Sequence, residues 1–224
     1  MREGNRRPGP IAWLLRHAFS WLVVRPVVLI GLGLKVRHRD RLPQNGPAIL
    51  VANHNSHLDT LVLMTLLPAK LVPRIRPVAA ADYFLANPLV AWFSQTVIGI
   101  IPVHRGGASP TGRDPLAGAA AALSVGDLVI VFPEGTRGEP EEMTELKTGV
   151  AHLAKRFPEV PVVPVFLHGL GKSLPKGRFI PVPFFVDVVV GESLFGNQDH
   201  HAFVHELSRI IETLDGELNQ PEWA

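Results

Sequence analysis

The chain has 224 residues, enough for one substantial domain with a small appendage, and its lack of cysteine excludes disulfides, thiolate metal sites and cysteine nucleophiles. Hydrophobic residues make up 46% and charged residues only 19%, an apolar balance that points to a membrane surface or a lipid ligand. The formal charge of +2 hides an asymmetry, because residues 1–41 carry nine Lys/Arg against Glu3 and Asp40, leaving the remainder net acidic.

A basic, apolar N-terminus fits an anionic membrane as partner. No nucleic-acid partner is expected, since the basic residues flank tryptophans and aliphatics rather than line a groove of stacking aromatics. From Ile11 to Leu34 the chain is largely apolar, but Arg16, His17, Arg25 and Pro26 interrupt it. A spanning helix needs about 20 consecutive apolar residues. The pattern therefore predicts two short helices, roughly 10–24 and 26–35, lying in the interface with Trp13, Trp21 and the arginines as anchors. Helices packed onto the domain core are the alternative. No small-residue cleavage site clearly follows the apolar part, which argues against a signal peptide. The expected organisation is a membrane anchor over residues 1–36 and an α/β domain over 37–224.

Beyond the turn signal "RLPQNGP", "AILVAN" (48–53) reads as a buried strand, and "SHLDTLVLMTLLP" as a short helix closed by Pro68. Further strands are predicted at 75–80, 99–105, 127–133, 160–170 and within 179–194. Helices are predicted at 83–97, with a break at Pro88, and at 116–126, 146–157 and 199–218. Residues 106–115 and 134–145 read as loops. Strands alternating with helices predict an α/β fold, a mainly parallel mixed sheet flanked by helices.

The densest chemistry lies in "NHNSHLD" (53–59). Ser56 and Asp59 match a capping box at a helix start, a common structural feature. His54, His57 and Asp59 could instead ligate a metal, but the spacing does not put both histidines on one helix face, and no metal site is assigned. In a third reading His54, at the strand end, folds back over the Asp59 carboxylate. Asp59 then fixes the tautomer of a general base and stabilises its imidazolium.

Two other polar islands follow apolar strands. "FPEGTR" (132–137) delivers Glu134, Gly135, Thr136 and Arg137 to a strand end, and "IPVHRGG" delivers Arg105. In open α/β sheets ligands bind at that edge. Two arginines there make a phosphate clamp, because the guanidinium fork matches phosphate oxygens. The structural alternative is a surface Glu134–Arg137 pair worth about 0–1 kcal/mol. Phe166 stands where a Walker loop needs glycine, and no G-x-S-x-G surrounds any serine, so NTPase and serine-hydrolase readings fail.

In order and spacing these islands resemble the glycerolipid acyltransferase family, the lysophosphatidic acid acyltransferase group in particular. The family's N-H-x-x-x-x-D motif is matched by Asn53, His54 and Asp59, its arginine-closed strand by Gly99 to Arg105, F-P-E-G-T-R by Phe132 to Arg137, and V-P-V by Val163 to Val165. The resemblance implies transfer of an acyl chain from acyl-CoA, or from acyl-carrier protein, to a lysophospholipid hydroxyl, without a further cofactor. It implies His54 and Asp59 as the catalytic pair. Arg105 and Arg137 hold the acceptor's phosphate, with Glu134, Gly135 and Thr136 beside them and Lys147 as a further candidate. Lysophosphatidic acid is the first expectation for the acceptor. A His/Asp metallohydrolase and a non-catalytic lipid-binding module remain the competing classes.

Overall fold

A computed structural model describes residues 8–56, 58–103, 114–135, 146–173 and 185–218. Seven strands form one mixed sheet: β1 (Gly33–Arg37), β2 (Ala48–Ala52), β3 (Ile75–Ala80), β4 (Ile101–Val103), β5 (Leu128–Val131), β6 (Val162–His168) and β7 (Phe185–Val190), in the order β1-β7-β6-β2-β5-β3-β4. All neighbours run parallel except β6 and β7, which pair antiparallel. The α/β expectation is met.

The central strands are apolar throughout because both faces are covered. On β2, Ala48, Leu50 and Ala52 enter one core while Ile49 and Val51 enter the other. The first core lies under α1 (Pro10–Gly31) and α2 (Leu58–Leu66). The second lies under α4 (Ala117–Ser124), α5 (Gly149–Arg156) and α6 (His200–Leu218). Between β3 and β4 stands α3 (Pro88–Ile98), capped by the Asn87 side chain, which accepts from the Leu89 and Val90 amides. The break expected at Pro88 is therefore a new helix start.

The N-terminal segment departs from the expectation. Its two predicted helices are one continuous helix, α1, with a π turn at Ser20–Val24, where the Arg25 amide donates to the Ser20 carbonyl. Proline at position 26 removes one donor, and the wide turn absorbs the defect within the helix. Residues 33–36, expected in the helical anchor, belong to β1, so the boundary drawn at 36/37 falls inside a strand paired with β7.

The π turn also sets the phase of α1. Arg16, Ser20, Val24 and Val28 are its buried residues. In an uninterrupted α-helix, positions 16 and 28 would point about 120° apart. One extra residue in the wide turn reduces this to about 20°, so a single stripe faces the domain over the length of the helix. Although α1 is long and apolar enough to cross a membrane, that stripe lays it flat along the domain.

Arg16, expected as an interfacial anchor, is instead 3% exposed. Its guanidinium donates to the carbonyls of Pro73 (2.7 Å), Thr96 (3.0 Å) and Gln95 (3.1 Å), pinning α1 to the ends of two other elements. A cation buried against carbonyls forms charge-assisted hydrogen bonds, and its removal leaves the acceptors without a donor. Arg16→Ala is expected to cost about 3 kcal/mol and lower the melting temperature by roughly 5–10 °C. Arg16→Lys should restore only part of that, because an ammonium cannot span three diverging carbonyls. Scanning calorimetry in detergent checks this, and an unchanged melting temperature for Arg16→Ala would remove the pin from the account.

Candidate active site

The strands β2, β5, β3 and β4 run parallel, so their C-terminal ends share one edge. His54 follows β2 at this edge, and Phe132 to Gly135 follow β5, the next strand over.

Asn53 starts the construction. It is buried, its side-chain amide donates to the Leu167 carbonyl, and its side-chain oxygen accepts from the Leu167 amide, both at 2.8 Å. A side chain thereby continues the β2–β6 ladder past Ala52, and the turn leaves from a fixed point. Asn55 adds a 3.2 Å bond to the same carbonyl.

The turn is then organised by one oxygen. Asp59 Oδ2 accepts from the Asn55 amide (2.6 Å), the Ser56 amide (2.8 Å) and His54 Nδ1 (2.8 Å). Ser56 Oγ accepts from the Leu58 amide at 3.3 Å, so the expected capping box is present with its serine bonded one residue earlier than expected. Because the oxygen is an acceptor for two backbone amides, His54 Nδ1 carries the proton facing it. Nε2 is left as the basic nitrogen of the neutral ring. The Asp59 side chain is fully buried and that of His54 is 20% exposed.

Burial pushes the Asp59 carboxyl above the ordinary range, against the opposing pull of His54 and the two amides. The imidazole stacks on Phe132, with centroids 4.2 Å apart at 24°. From the Phe132 loop, Glu134 reaches across and accepts from the His54 amide at 2.9 Å. Expected beside a phosphate, the buried Glu134 braces the backbone of the histidine with one of its oxygens. Phe132 and Asn53 thus join the site as supports of His54, and adjacency to that histidine, in sequence for Asn53 and across parallel strands for Phe132, is the signal that marks them.

Gly135 has φ +72°, and the Lys147 side chain lies where a β-carbon would be. Glycine is favoured there by conformation, and a β-carbon would also push aside the flexible end of Lys147. Lys147 is tied in turn to the Pro133 carbonyl through its amide. His54, Gly135 and Lys147 line a common cavity of about 680 Å³, whose other walls are mostly apolar, including Phe19, Leu61 and Phe84. That volume and lining suit an acyl chain with a few polar groups at one end.

Thr136, Arg137, His57 and Arg105 lie outside the described residues; β4 ends at Val103, two positions before Arg105, on the same sheet edge. Among the described residues, no group of three His, Asp or Glu side chains could hold a metal ion.

Residues 33–168 match the protein family described as Acyltransferase. The chain is 33% identical over 144 residues to 1-acyl-sn-glycerol-3-phosphate acyltransferase alpha of Homo sapiens, covering 62% of this chain and 47% of that protein. It is 28% identical over 185 residues to a chloroplastic 1-acyl-sn-glycerol-3-phosphate acyltransferase of Arabidopsis thaliana, covering 81% of this chain and 49% of that one. The chain thus spans about half the length of the curated relatives it matches. The fold is also that of the crystal structure of the 1-acyl-sn-glycerophosphate (LPA) acyltransferase, PlsC, from Thermotoga maritima. The TM-score is 0.72 at 21% identity, covering 95% of this chain and 81% of that one.

The raised Asp59 carboxyl gives a stability prediction. An acid whose folded pKa exceeds its unfolded value stabilises the fold when protonated, and that contribution is lost as pH rises through the folded pKa. Relative to Asp59→Asn, which stays neutral, wild type should gain melting temperature as pH falls from 7 towards 4. Parallel melting curves across that range check it, and a gap that widens in the variant's favour on acidification would contradict it.

Proposed function

The chain belongs to the Acyltransferase family, and from that premise we propose that it transfers a fatty acyl chain from an acyl thioester to the free hydroxyl of a lysophospholipid, with 1-acylglycerol-3-phosphate as acceptor and phosphatidic acid as product. The observation that carries the reading is the His54–Asp59 pair, closed at 2.8 Å and opening on a cavity sized for an acyl chain.

His54 Nε2 removes the proton from the acceptor hydroxyl as its oxygen attacks the thioester carbonyl. Asp59 stabilises the imidazolium that results, as a buried carboxylate facing Nδ1 does in other histidine bases. The tetrahedral intermediate then expels the thiolate. A carbon–oxygen bond has formed, a carbon–sulfur bond has broken, and the proton on Nε2 passes to the leaving sulfur. No acyl-enzyme is needed, in keeping with a chain without cysteine, and the chemistry requires no cofactor beyond the thioester itself. Acyl-CoA is the proposed donor, with acyl-carrier protein as the alternative carrier.

Arg105 and Arg137 are proposed to hold the acceptor's phosphate with Gly135 and Thr136, and Lys147 stands beside Gly135 at the cavity. A guanidinium pair would favour lysophosphatidic acid over an uncharged lysolipid. The basic, apolar α1 supports work at a membrane surface, with the protein monotopic on the cytoplasmic face.

Release of free CoA thiol from oleoyl-CoA with lysophosphatidic acid tests the proposal. His54→Ala is expected to lower the rate by roughly 10²–10⁴-fold. A variant that turns over like wild type would refute His54 as the base, and wild type that releases no thiol with any lysolipid would refute the activity.

A further inference from the structure

On the sheet edge opposite His54 stands a group of cations that the proposed reaction does not use. Arg74 closes the Ala69–Arg74 turn, and Arg76 is the second residue of β3. Alternate positions of an extended chain share a face, so the two side chains leave the chain on the same side. Asp127 joins that face from the start of β5, because Arg76 pairs in register with Val129 and Asp127 lies two positions earlier. Arg16 approaches from α1, its guanidinium lying against Gly99 just ahead of β4.

Charge is unbalanced in this corner. The buried Arg16 gives its donors to the carbonyls of Pro73, Gln95 and Thr96. Arg74 Nη2 donates to the Val125 and Gly126 carbonyls where α4 ends, while Arg74 Nε stands 3.6 Å from Asp127 Oδ1. Arg76 Nε is enclosed with no hydrogen-bond partner among the described residues, and so are Arg74 Nε and Asp127 Oδ1. Three guanidinium groups thus lie in the field of one carboxylate, and Arg76 acts on Arg16 as a like charge. Burial pulls the Arg76 pKa down, with Asp127 opposing it. Enclosing a cation is costly unless an anion meets it.

The corner is open on one side: the Arg74 side chain is 33% exposed, whereas that of Asp127 is 4% exposed and lies beneath. We propose that Arg74 and Arg76 bind a phosphate group that still carries one proton, its oxygens accepting from the two guanidinium groups and its O–H donating to Asp127 Oδ1. The guanidinium fork matches phosphate oxygens, and the carboxylate selects for the proton. Inorganic phosphate and phosphate monoesters share this chemistry, since their second pKa of about 6 leaves part of them protonated near neutrality. Sulfate and phosphodiesters lack that proton and would set an oxygen against the carboxylate. Arg16 makes no contact with the ligand and adds charge from behind. The site lies at the far end of β3 from Ala79 and Ala80, which line the His54 cavity, and it stands apart from the acyltransferase reading.

Melting of the full-length protein, wild type against Arg76 variants, tests the site. In every arm the gain counted is the part that substitution of Arg76 removes, so phosphate held elsewhere cancels. Inorganic phosphate at about ten times its dissociation constant should raise the wild-type melting temperature in detergent by roughly 3–6 °C over sodium chloride of equal ionic strength. Arg76→Met, which keeps an apolar stem, should lose that gain. Arg76→Lys, which keeps the charge without the fork, should retain only part of it, and it decides the matter if the methionine variant does not fold. Sulfate should give less than about half the phosphate gain. Phosphatidylcholine vesicles carrying phosphatidic acid or phosphatidylglycerol separate the sources. A gain with phosphatidic acid assigns the site to a monoester headgroup, and a gain with free phosphate alone assigns it to a soluble ligand. No gain with either phosphate or phosphatidic acid would overturn the site, and so would an equal gain with sulfate or phosphatidylglycerol.

Discussion

One buried oxygen organises the reactive end of this molecule. Asp59 Oδ2 gathers two backbone amides and an imidazole N–H into a single focus, and the chain between β2 and α2 has to wrap around it. Burying a carboxylate is costly unless donors converge on it. Here the donors belong to the turn itself, so stabilising the charge and shaping the turn are one event. The tautomer of His54 follows from the same bond. Asn53 fixes where the turn begins and Glu134 fixes the height of the histidine, which leaves the ring few ways to wander.

The parallel sheet explains why these residues can meet. Strand ends that are distant in sequence are neighbours at one edge, and Glu134 reaches an amide 80 positions earlier because β5 lies against β2. The hydrophobic strands provide rigidity, with both faces covered, and the polar groups are confined to the loops that leave them. The antiparallel β7 closes the far side, where β1 completes the sheet.

Much of this was legible in the residues. Runs such as "AILVA" and "LVIV" announce strands because strands buried on two faces need no alternation. His54 and Asp59 could be paired because the chain must turn between a strand and a helix start. Other features depend on contacts that no local pattern carries. Strand β1, "GLKVR", is a half-exposed edge strand that follows α1 with only Leu32 between them. The continuity of α1 was hidden by Arg25-Pro26, which reads as a break unless a wide turn is allowed. Arg16 looked like a lipid anchor because its three acceptors lie at residues 73, 95 and 96. The bond from Glu134 to the His54 amide was hidden because its backbone partner comes from another strand. Arg105, Thr136 and Arg137 lie outside the described residues, so their part rests on motif spacing.

The Arg16 pin has a consequence for how the protein is made. Its acceptors at Gln95 and Thr96 are translated about 80 positions after the arginine itself, a delay on the order of ten seconds at ribosomal speed. Throughout that interval α1 is an apolar helix whose docking groove does not yet exist. The stripe of Arg16, Ser20, Val24 and Val28 can therefore be buried only once the whole of that later segment has been made. The pin is thus a contact that closes late, between a helix made first and carbonyls made long after it.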